Sequence, residues 1–268
     1  MLSLKQLIQS QTNVFDDTRV KIVRHKDNRP EYREMLKHRD DLLEYQREQG
    51  KPVFHDCEHI LSFLGGERRR SIFFGAYKVL GHTMRGHLYY YDLEPISELA
   101  HLENRLVIDW GGGERSWWQW YHRQTKEIIE ILPAGYLGTF PGLLNFTLDH
   151  SELQRLIANP EANHDWLHHL STVNGIYLIL DQRSGKQYIG SAYGKEGIWQ
   201  RWSSYALSGH GGNRELRALV EKDTDCCRHF LYSVLQTLPS NITPREIIQL
   251  ENLYKQKLGT RAHGLNAN

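Results

Sequence analysis

The sequence predicts an α+β protein of two domains, and three observations support this prediction. Between residues 59 and 132, six short apolar runs are separated by Gly, Pro and polar turns, a pattern typical of strands. Near residue 175, two further strand-like runs enclose a polar turn, and apolar residues at helical spacing follow them. A chain of 268 residues is long enough to form two cores. We therefore predict domains at 1–165 and 166–268, with Asn159–Asn163 as the linker.

The first domain is predicted to be a compact β-barrel with one or two helices. A short helix over Leu2–Ser10 precedes a strand at Val20–Val23, and Pro30 begins a charged helix that ends near Gln49. A helix over Ser151–Ala158 closes the domain. The six strands between them are predicted at His59–Leu64, Ser71–Leu80, His87–Leu93, Arg105–Trp110, Trp117–Tyr121 and Glu127–Leu132.

The composition argues against several classes of protein. The 40% of apolar residues suits a globular protein, the N-terminus lacks the apolar core of a signal peptide, and no run approaches the roughly 18 apolar residues of a membrane span. We expect a cytoplasmic protein with no membrane partner. The three cysteines, Cys57, Cys226 and Cys227, form neither a disulfide framework nor a zinc pattern. From residue 171 onward, 12 Lys and Arg stand against 8 Asp and Glu, a mildly basic balance that is compatible with phosphate binding.

The second domain begins with a predicted β-hairpin that carries one tyrosine on each strand. Its runs, Gly175–Leu180 and Gln187–Gly190, contain the orders Gly-Ile-Tyr and Tyr-Ile-Gly. If residues 181 and 186 are paired across the turn, Tyr177 and Tyr188 share one face of the hairpin. A shift of one residue in the register would place them on opposite faces.

Two later helices each carry a charged residue in or beside an apolar face. A helix over Lys195–Leu207 places Arg201 beside its apolar stripe, with Tyr205 one turn later. A second helix begins at Pro244 after a capping box, and Glu251 lies within its apolar face. Buried charges need partners. For the arginine the partner is a structural carboxylate or a substrate phosphate, and for the glutamate it is a divalent cation or a salt bridge.

Three further features lie between these helices. His210 lies in a glycine-rich loop, where it could donate to a phosphate, assist proton transfer or simply be solvated. Asn213 caps another predicted helix, and Arg228–Leu235 alternates as a third strand.

This half of the chain resembles the GIY-YIG nuclease family. Six residues follow the order of the family's motifs, with a tyrosine where many members carry histidine: Tyr177, Tyr188, Arg201, Tyr205, Glu251 and Asn266. The resemblance covers about residues 172–268 and implies a small α/β nuclease domain, in which helices flank a short central antiparallel sheet. It implies catalytic roles for these residues, to which we add His210.

The resemblance also implies a mechanism. One Mg²⁺ (or Mn²⁺) held by Glu251 would stabilise the departing 3′ oxygen, Arg201 would clamp the phosphate, and Tyr177 would orient or deprotonate the attacking water. A tyrosine base needs positive charge nearby because its ordinary pKa is about 10. Lys186 and His210 are both candidates for that charge.

Clustered aromatic residues mark the first domain. They are either core and rim residues or the walls of a pocket in which a base stacks. This half is distantly similar to PUA-like barrels, including EVE-type domains, which accept modified bases. The resemblance implies a pocket for a flipped base and basic residues that contact nearby DNA. The pocket candidates are Trp110, Trp117, Trp118 and Trp120, and the DNA-contacting candidates, in a predicted loop, are Arg24, His25 and Lys26.

The function predicted from these resemblances is Mg²⁺-dependent hydrolysis of phosphodiester bonds by a DNA endonuclease of the restriction type. Its N-terminal domain would select the DNA, with modified cytosine as the candidate mark. The expected partner is double-stranded DNA, and a single site per chain indicates a homodimer on DNA or two successive cuts. The alternatives are a structure-specific repair nuclease and a nucleic-acid-binding protein that has lost its activity.

Overall fold

The structure is a computed structural model that describes residues 2–27, 29, 32, 35, 36, 39–112 and 116–266. The chain forms two units, Met1–Pro133 and Ala134–Asn268, each with its own hydrophobic cores. None of the helices within the described ranges has the length and apolar character that crossing a bilayer requires.

The first unit contains a curled sheet in which all six predicted strands are present. In its described part the spatial order is β2-β5-β4-β3-β1-β7, while β6 pairs with β4 and β8 pairs with β6. The long strand β4 pairs with three neighbours along its length, which gives the sheet the form of a half-barrel. The strands are β1 (Val20–His25), β2 (Glu48–Gln49), β3 (His59–Gly65), β4 (Arg70–Arg85), β5 (Leu88–Pro95), β6 (Leu106–Asp109), β7 (Trp118–Trp120) and β8 (Glu127–Ile131). The likeness to PUA-like barrels stays a prediction.

Two α-helices accompany this sheet in the part of the unit that the structure describes. Helix α1 (Leu4–Gln11) begins at a capping box formed by Ser3 and Gln6. Helix α2 (Arg39–Arg47) ends just before β2, and the predicted helix start at Pro30 lies outside the described residues. Hydrophobic cores cover both faces of β1, since Ile22 lies in one core and Val23 in the other.

The second unit is built on a four-stranded antiparallel sheet in the order β11-β10-β12-β9. Its strands are β9 (Leu148–Asp149), β10 (Asn174–Asp181), β11 (Gln187–Ala192) and β12 (Phe230–Leu238). Its helices are α3 (His150–Ala158), α4 (His164–Ser171), α5 (Gly197–Ser208), α6 (Arg214–Lys222), α7 (Pro244–Lys257) and α8 (Thr260–His263). The larger core packs α3, α4 and α5 on one face of the sheet, and a smaller core packs α7 on the other. Strand β11 forms an edge of the sheet.

The boundary between the units lies between Pro133 and Ala134, earlier in the chain than the predicted boundary between residues 165 and 166. Helix α3 packs its buried Leu153 and Leu156 in the core that also contains Tyr177, so it belongs to the second unit. The predicted linker Asn159–Asn163 is an integral part of that unit. The side chain of Asn163 is buried, accepts a hydrogen bond from Leu137 N (2.8 Å) and donates to the carbonyl of Gly135 (3.0 Å).

Candidate active site

The predicted hairpin is present, with the register that places both motif tyrosines on one face. Strand β10 pairs with β11 so that Tyr177 lies opposite Gly190 and Ile179 lies opposite Tyr188. At the turn, Asp181 N donates to the carbonyl of residue 186 (2.9 Å). Because side chains alternate between faces, Tyr177 and Tyr188 project to the same side, with ring centroids 6.4 Å apart.

The ring of Tyr177 lies directly across Gly190. A Cβ atom at residue 190 would approach the Tyr177 hydroxyl more closely than 3.0 Å, so the second strand requires a glycine there. The hydroxyls of Tyr177 and Tyr205 are hydrogen-bonded at 2.9 Å, and both side chains are fully buried. Burial raises the pKa of Tyr177, with a further contribution from neighbouring Tyr188, and raises the pKa of Tyr205 well above its ordinary value. Tyr177 and Tyr205 are therefore neutral hydrogen-bonding groups.

Arg201 is held at the border of the buried face of α5. Ile198, Trp202 and Tyr205 on this helix are buried, as their helical spacing predicts, while Arg201 is half-buried. Its Nε donates to the hydroxyl of Tyr177 (3.1 Å), and its Nη1 donates to the carbonyl of Gly211 (2.9 Å). No carboxylate of the described residues pairs with this guanidinium. Arg201 therefore forms no structural salt bridge with the described residues, which was the alternative to binding a phosphate.

Glu251 projects from α7 on the other side of the sheet edge. The helix begins at Thr243 with a capping box, and Ile247, Leu250 and Tyr254 pack on the sheet. The side chain of Glu251 remains 18% exposed. Its Oε1 lies 2.5 Å from Lys255 Nζ, and its Oε2 accepts a hydrogen bond from the hydroxyl of Ser191.

Arg201 from α5 and Glu251 from α7 both line a cleft along the edge strand β11. The cleft has a volume of about 490 Å³, and Tyr188, Ser191, Arg201 and Glu251 are among the residues that line it. Tyr193, Gln200 and Ser204 complete much of its wall. An arginine, a glutamate and a tyrosine therefore line one solvent-accessible space.

Tyr177 does not line this cleft, in contrast to the role in water activation predicted for it. Its hydroxyl lies behind Arg201, where it accepts from Nε. Tyr188 is the motif tyrosine on the cleft wall. The sequence pattern cannot distinguish the two, because both lie on the same face of the hairpin and only tertiary packing decides which of them lines the cleft.

Asn266 docks the end of the described chain onto β11. Its Oδ1 accepts from Ile189 N (2.9 Å) and its Nδ2 donates to Ile189 O (2.7 Å). The side-chain amide thus provides the pair of hydrogen bonds that a neighbouring strand would provide.

His210 and Lys186 lie away from the cleft wall. The Nδ1 of His210 accepts a hydrogen bond from Gly212 N (3.0 Å), and the next residue, Gly211, supplies the carbonyl that holds Arg201. Lys186 is exposed at the hairpin turn. Neither residue is among those that line the cleft.

Ser191 and Lys255 are site residues that the sequence analysis missed. Lys255 follows Glu251 by four residues on one helix, and this spacing is a readable signal for an ion pair. Ser191 has no such signal, because it lies 60 residues away from Glu251 in the chain.

The residues at Glu251 suit a hydrated divalent cation better than a cation enclosed by protein. Within the described ranges, no group of three or more His, Cys, Asp or Glu side chains is arranged to hold a metal. Mg²⁺ commonly keeps several waters and binds one or two carboxylates together with substrate phosphates. A single carboxylate on the wall of an open cleft fits this kind of coordination.

The basic residues predicted to contact DNA in the first unit are mostly buried. Arg24 and His25 belong to β1, which has neighbours on both edges and cores on both faces, rather than to a loop. Arg24 Nη2 donates to the carbonyl of Arg68 (2.8 Å), and His25 bonds to Gln46 (2.9 Å). Burial lowers the pKa of His25. Of the three residues only Lys26 is exposed, so the predicted DNA contacts of Arg24 and His25 do not fit this structure.

The four candidate tryptophans have three different environments. Trp110 is fully buried in a core, which does not fit the wall of an open pocket. Trp118 and Trp120 are half-buried, and Lys21 Nζ lies over their rings at 4.2 and 4.7 Å from the centroids. Trp117 is half-buried, and among the described residues no cation lies over its ring. Consecutive aromatics on a strand alternate faces, which is why they cannot all share one environment.

Comparison with known proteins gives limited similarity. No protein-family model matches the sequence, and no curated protein matches it. A solved structure of the catalytic domain of intron endonuclease I-TevI, in a mutant form, is 24% identical over 36% of this chain and 94% of that chain, with a TM-score of 0.29. The catalytic domain of homing endonuclease I-TevI is 27% identical over 35% of this chain and 98% of that chain, again with a TM-score of 0.29.

Proposed function

We propose that this protein is a metal-dependent DNA endonuclease of the GIY-YIG type. The observation that carries the proposal is the cleft in which Tyr188, Arg201 and Glu251 converge from β11, α5 and α7. These residues supply a group that can orient water, a cation for the phosphate and an anionic metal ligand. They are also residues on which the resemblance to the family depends.

Arg201 binds the scissile phosphate in this proposal. Hydrogen bonds to Tyr177 and Gly211 hold the guanidinium through Nε and Nη1, while its Nη2 makes no hydrogen bond with the described residues. A planar, permanently charged group that is fixed on one side is suited to donate to phosphate oxygens from the other. Because no carboxylate in the described chain neutralises it, its charge is available to the transition state.

Tyr188 takes the role of orienting the attacking water, because Tyr177 is fully buried. Tyr177 and Tyr205 form the hydrogen-bonded support behind Arg201. Asn266 keeps β11 in place by bonding to the backbone of Ile189, next to Tyr188.

Glu251 is the residue that would hold Mg²⁺ or Mn²⁺. Such an ion, when bound, supplies Lewis-acid stabilisation of the charge on the departing 3′ oxygen. Ser191 orients the carboxylate by donating to one of its oxygens, and Lys255 balances its charge. The carboxylate is thus positioned before any substrate arrives.

The test is a plasmid-nicking assay with and without Mg²⁺, using the wild-type protein and Glu251→Gln. We expect the wild type to nick or linearise the plasmid only with the metal, and the variant to lose at least about a hundredfold in rate, since it lacks the anionic ligand. DNA binding by the variant, measured by fluorescence anisotropy, should be kept. A wild-type protein that binds DNA and never cuts it would favour the inactive binding protein instead.

We also propose a restriction role on double-stranded DNA, in which one cleft per chain cuts both strands through a homodimer or in two successive events. In the first unit, the half-buried Trp117 is the best-placed candidate to stack on a flipped, modified cytosine, since Lys21 covers Trp118 and Trp120. Stacking contributes about 1–3 kcal/mol per base, so Trp117→Ala should weaken specific binding roughly ten- to a hundredfold. Matched duplexes with and without cytosine modification provide the measurement. Equal affinity of the wild type for both duplexes would contradict the proposed selection of modified cytosine.

A further inference from the structure

A second concave surface lies on the second unit, between α7 and α8. This groove has a volume of about 710 Å³, within the range of about 300–1,000 Å³ that is usual for ligand pockets. The side chains that matter most for its chemistry are Gln249, Asn252, Leu253, Lys255, Gln256 and Arg261.

The lining of the groove is cationic and rich in amides. Arg261 provides a positive charge, the ammonium of Lys255 is paired with Glu251, and none of the lining residues is a carboxylate. Arg261 Nη2 donates to Asn252 Oδ1 (2.5 Å), a neutral partner, so this hydrogen bond leaves the guanidinium charge uncompensated. Amides and uncompensated guanidinium groups donate hydrogen bonds to phosphate oxygens, and Leu253 offers an apolar contact for a sugar.

Lys255 joins this groove to the candidate active site. It lines the groove, and its ammonium nitrogen lies 2.5 Å from Glu251 Oε1, while Glu251 lines the cleft at β11. The two concave surfaces therefore meet at one ion pair. A chain of phosphates that places one phosphate at Arg201 and Glu251 can continue past Lys255 towards Arg261 without meeting a further carboxylate among the lining residues of the groove.

We propose that the groove between α7 and α8 binds the phosphodiester backbone of the DNA strand on one side of the scissile phosphate. This inference rests on the proposed nuclease function and adds a subsite to it. The groove contributes affinity and register, whereas the chemistry stays in the cleft.

The experiment adds negative charge to the groove without changing its shape. Gln249 and Gln256 are exposed on α7, so the double variant Gln249→Glu/Gln256→Glu keeps the size of both side chains and should fold as the wild type does. Gln182→Glu is the matched control, since this exposed glutamine at the hairpin turn lines neither the groove nor the cleft. Proteins that contain all 268 residues are titrated with a fluorescein-labelled duplex in EDTA, which prevents cleavage, over a series of salt concentrations.

We expect the double variant to bind the duplex about tenfold more weakly. In a plot of log affinity against log salt concentration, Arg261→Ala should reduce the magnitude of the slope by about 0.9, the value for one phosphate contact on duplex DNA. In cleavage assays with Mg²⁺, both should raise KM and leave kcat unchanged. The control should bind as the wild type does.

Wild-type affinity and salt slope in both groove variants would overturn the subsite. That result is distinct from a failure of the proposed function, in which the wild type binds DNA and never cuts it. Binding in EDTA measures the groove whether or not the protein cuts.

Discussion

A single buried hydroxyl, that of Tyr177, holds together much of the candidate site. It accepts a hydrogen bond from Arg201 Nε, bonds to the hydroxyl of Tyr205 and lies against the backbone of Gly190. A buried polar group contributes to the stability of the fold when its hydrogen-bond partners are present, and its removal leaves those partners unsatisfied. Tyr177 therefore positions Arg201 without touching the space in which a substrate would bind.

We predict that Tyr177→Phe lowers the free energy of unfolding by about 1–3 kcal/mol, because Arg201 Nε and the Tyr205 hydroxyl each lose a partner. It should also lower kcat more than it changes KM, since the guanidinium would be less well fixed in the transition state. Urea unfolding and steady-state cleavage give the two measurements.

Tyr254→Phe is the control, because its ring packs in a core while its hydroxyl makes no hydrogen bond with the described residues. The same loss of stability in both variants would contradict the anchoring role of the Tyr177 hydroxyl.

At the scale of elements, the cleft exists because the hairpin places an edge strand between two helices. Strand β11 has β10 on one side and the Asn266 side chain on its other edge, while α5 and α7 cover opposite faces of the sheet. Its residues alternate between these faces, and both sets reach the rim of the cleft. The absence of a side chain at Gly190 is what allows the ring of Tyr177 to lie across the strand.

We predict that Gly190→Ala destabilises the second unit by about 1–3 kcal/mol, because the new methyl group would overlap the Tyr177 hydroxyl and force it to move. Loss of cleavage should accompany it. Thermal unfolding followed by circular dichroism is the measurement.

Gly50→Ala provides the comparison, since a Cβ atom at Gly50 would meet nothing within 4 Å. Its expected effect is within about 0.5 kcal/mol of zero. If Gly190→Ala lowered stability no more than Gly50→Ala does, the close contact between residue 190 and the Tyr177 ring would be contradicted.

At the scale of the whole molecule, the chain consists of two units whose cores are separate. The main core of the second unit draws on residues before the hairpin, including Leu153, Leu156 and Trp166. Phe146 also contacts Trp202 edge to face, with ring centroids 6.1 Å apart. Residues 134–165 thus complete the second unit rather than the first one.

We predict that a fragment of residues 134–268 unfolds cooperatively, whereas a fragment of residues 166–268 does not fold stably. The shorter fragment lacks Leu153 and Leu156, and the loss of one such buried leucine typically costs about 2–5 kcal/mol. Circular dichroism melting curves of the two fragments test this. Equal melting temperatures would show that the second unit folds without residues 134–165.

The sequence by itself determined the elements and the order of the candidate catalytic residues. Helix caps, turn residues and apolar periodicity act over a few residues, which is why the hairpin, the start of α7 at Pro244 and the six strands of the first unit could be predicted, whereas the sequence alone leaves the register of the hairpin open. Two of the ordered motif residues, Arg201 and Glu251, also line one cleft.

Only the tertiary structure decided which of these side chains reach that cleft and which are covered. Tyr188 lines the cleft while Tyr177 is fully buried away from it, Ser191 meets Glu251 across 60 residues of sequence, and the predicted linker is packed into the second unit. Arg24 and His25 are buried for the same reason, because cores cover both faces of their strand. Burial depends on elements that are distant in the chain, and local periodicity carries no information about which distant element will cover a given face.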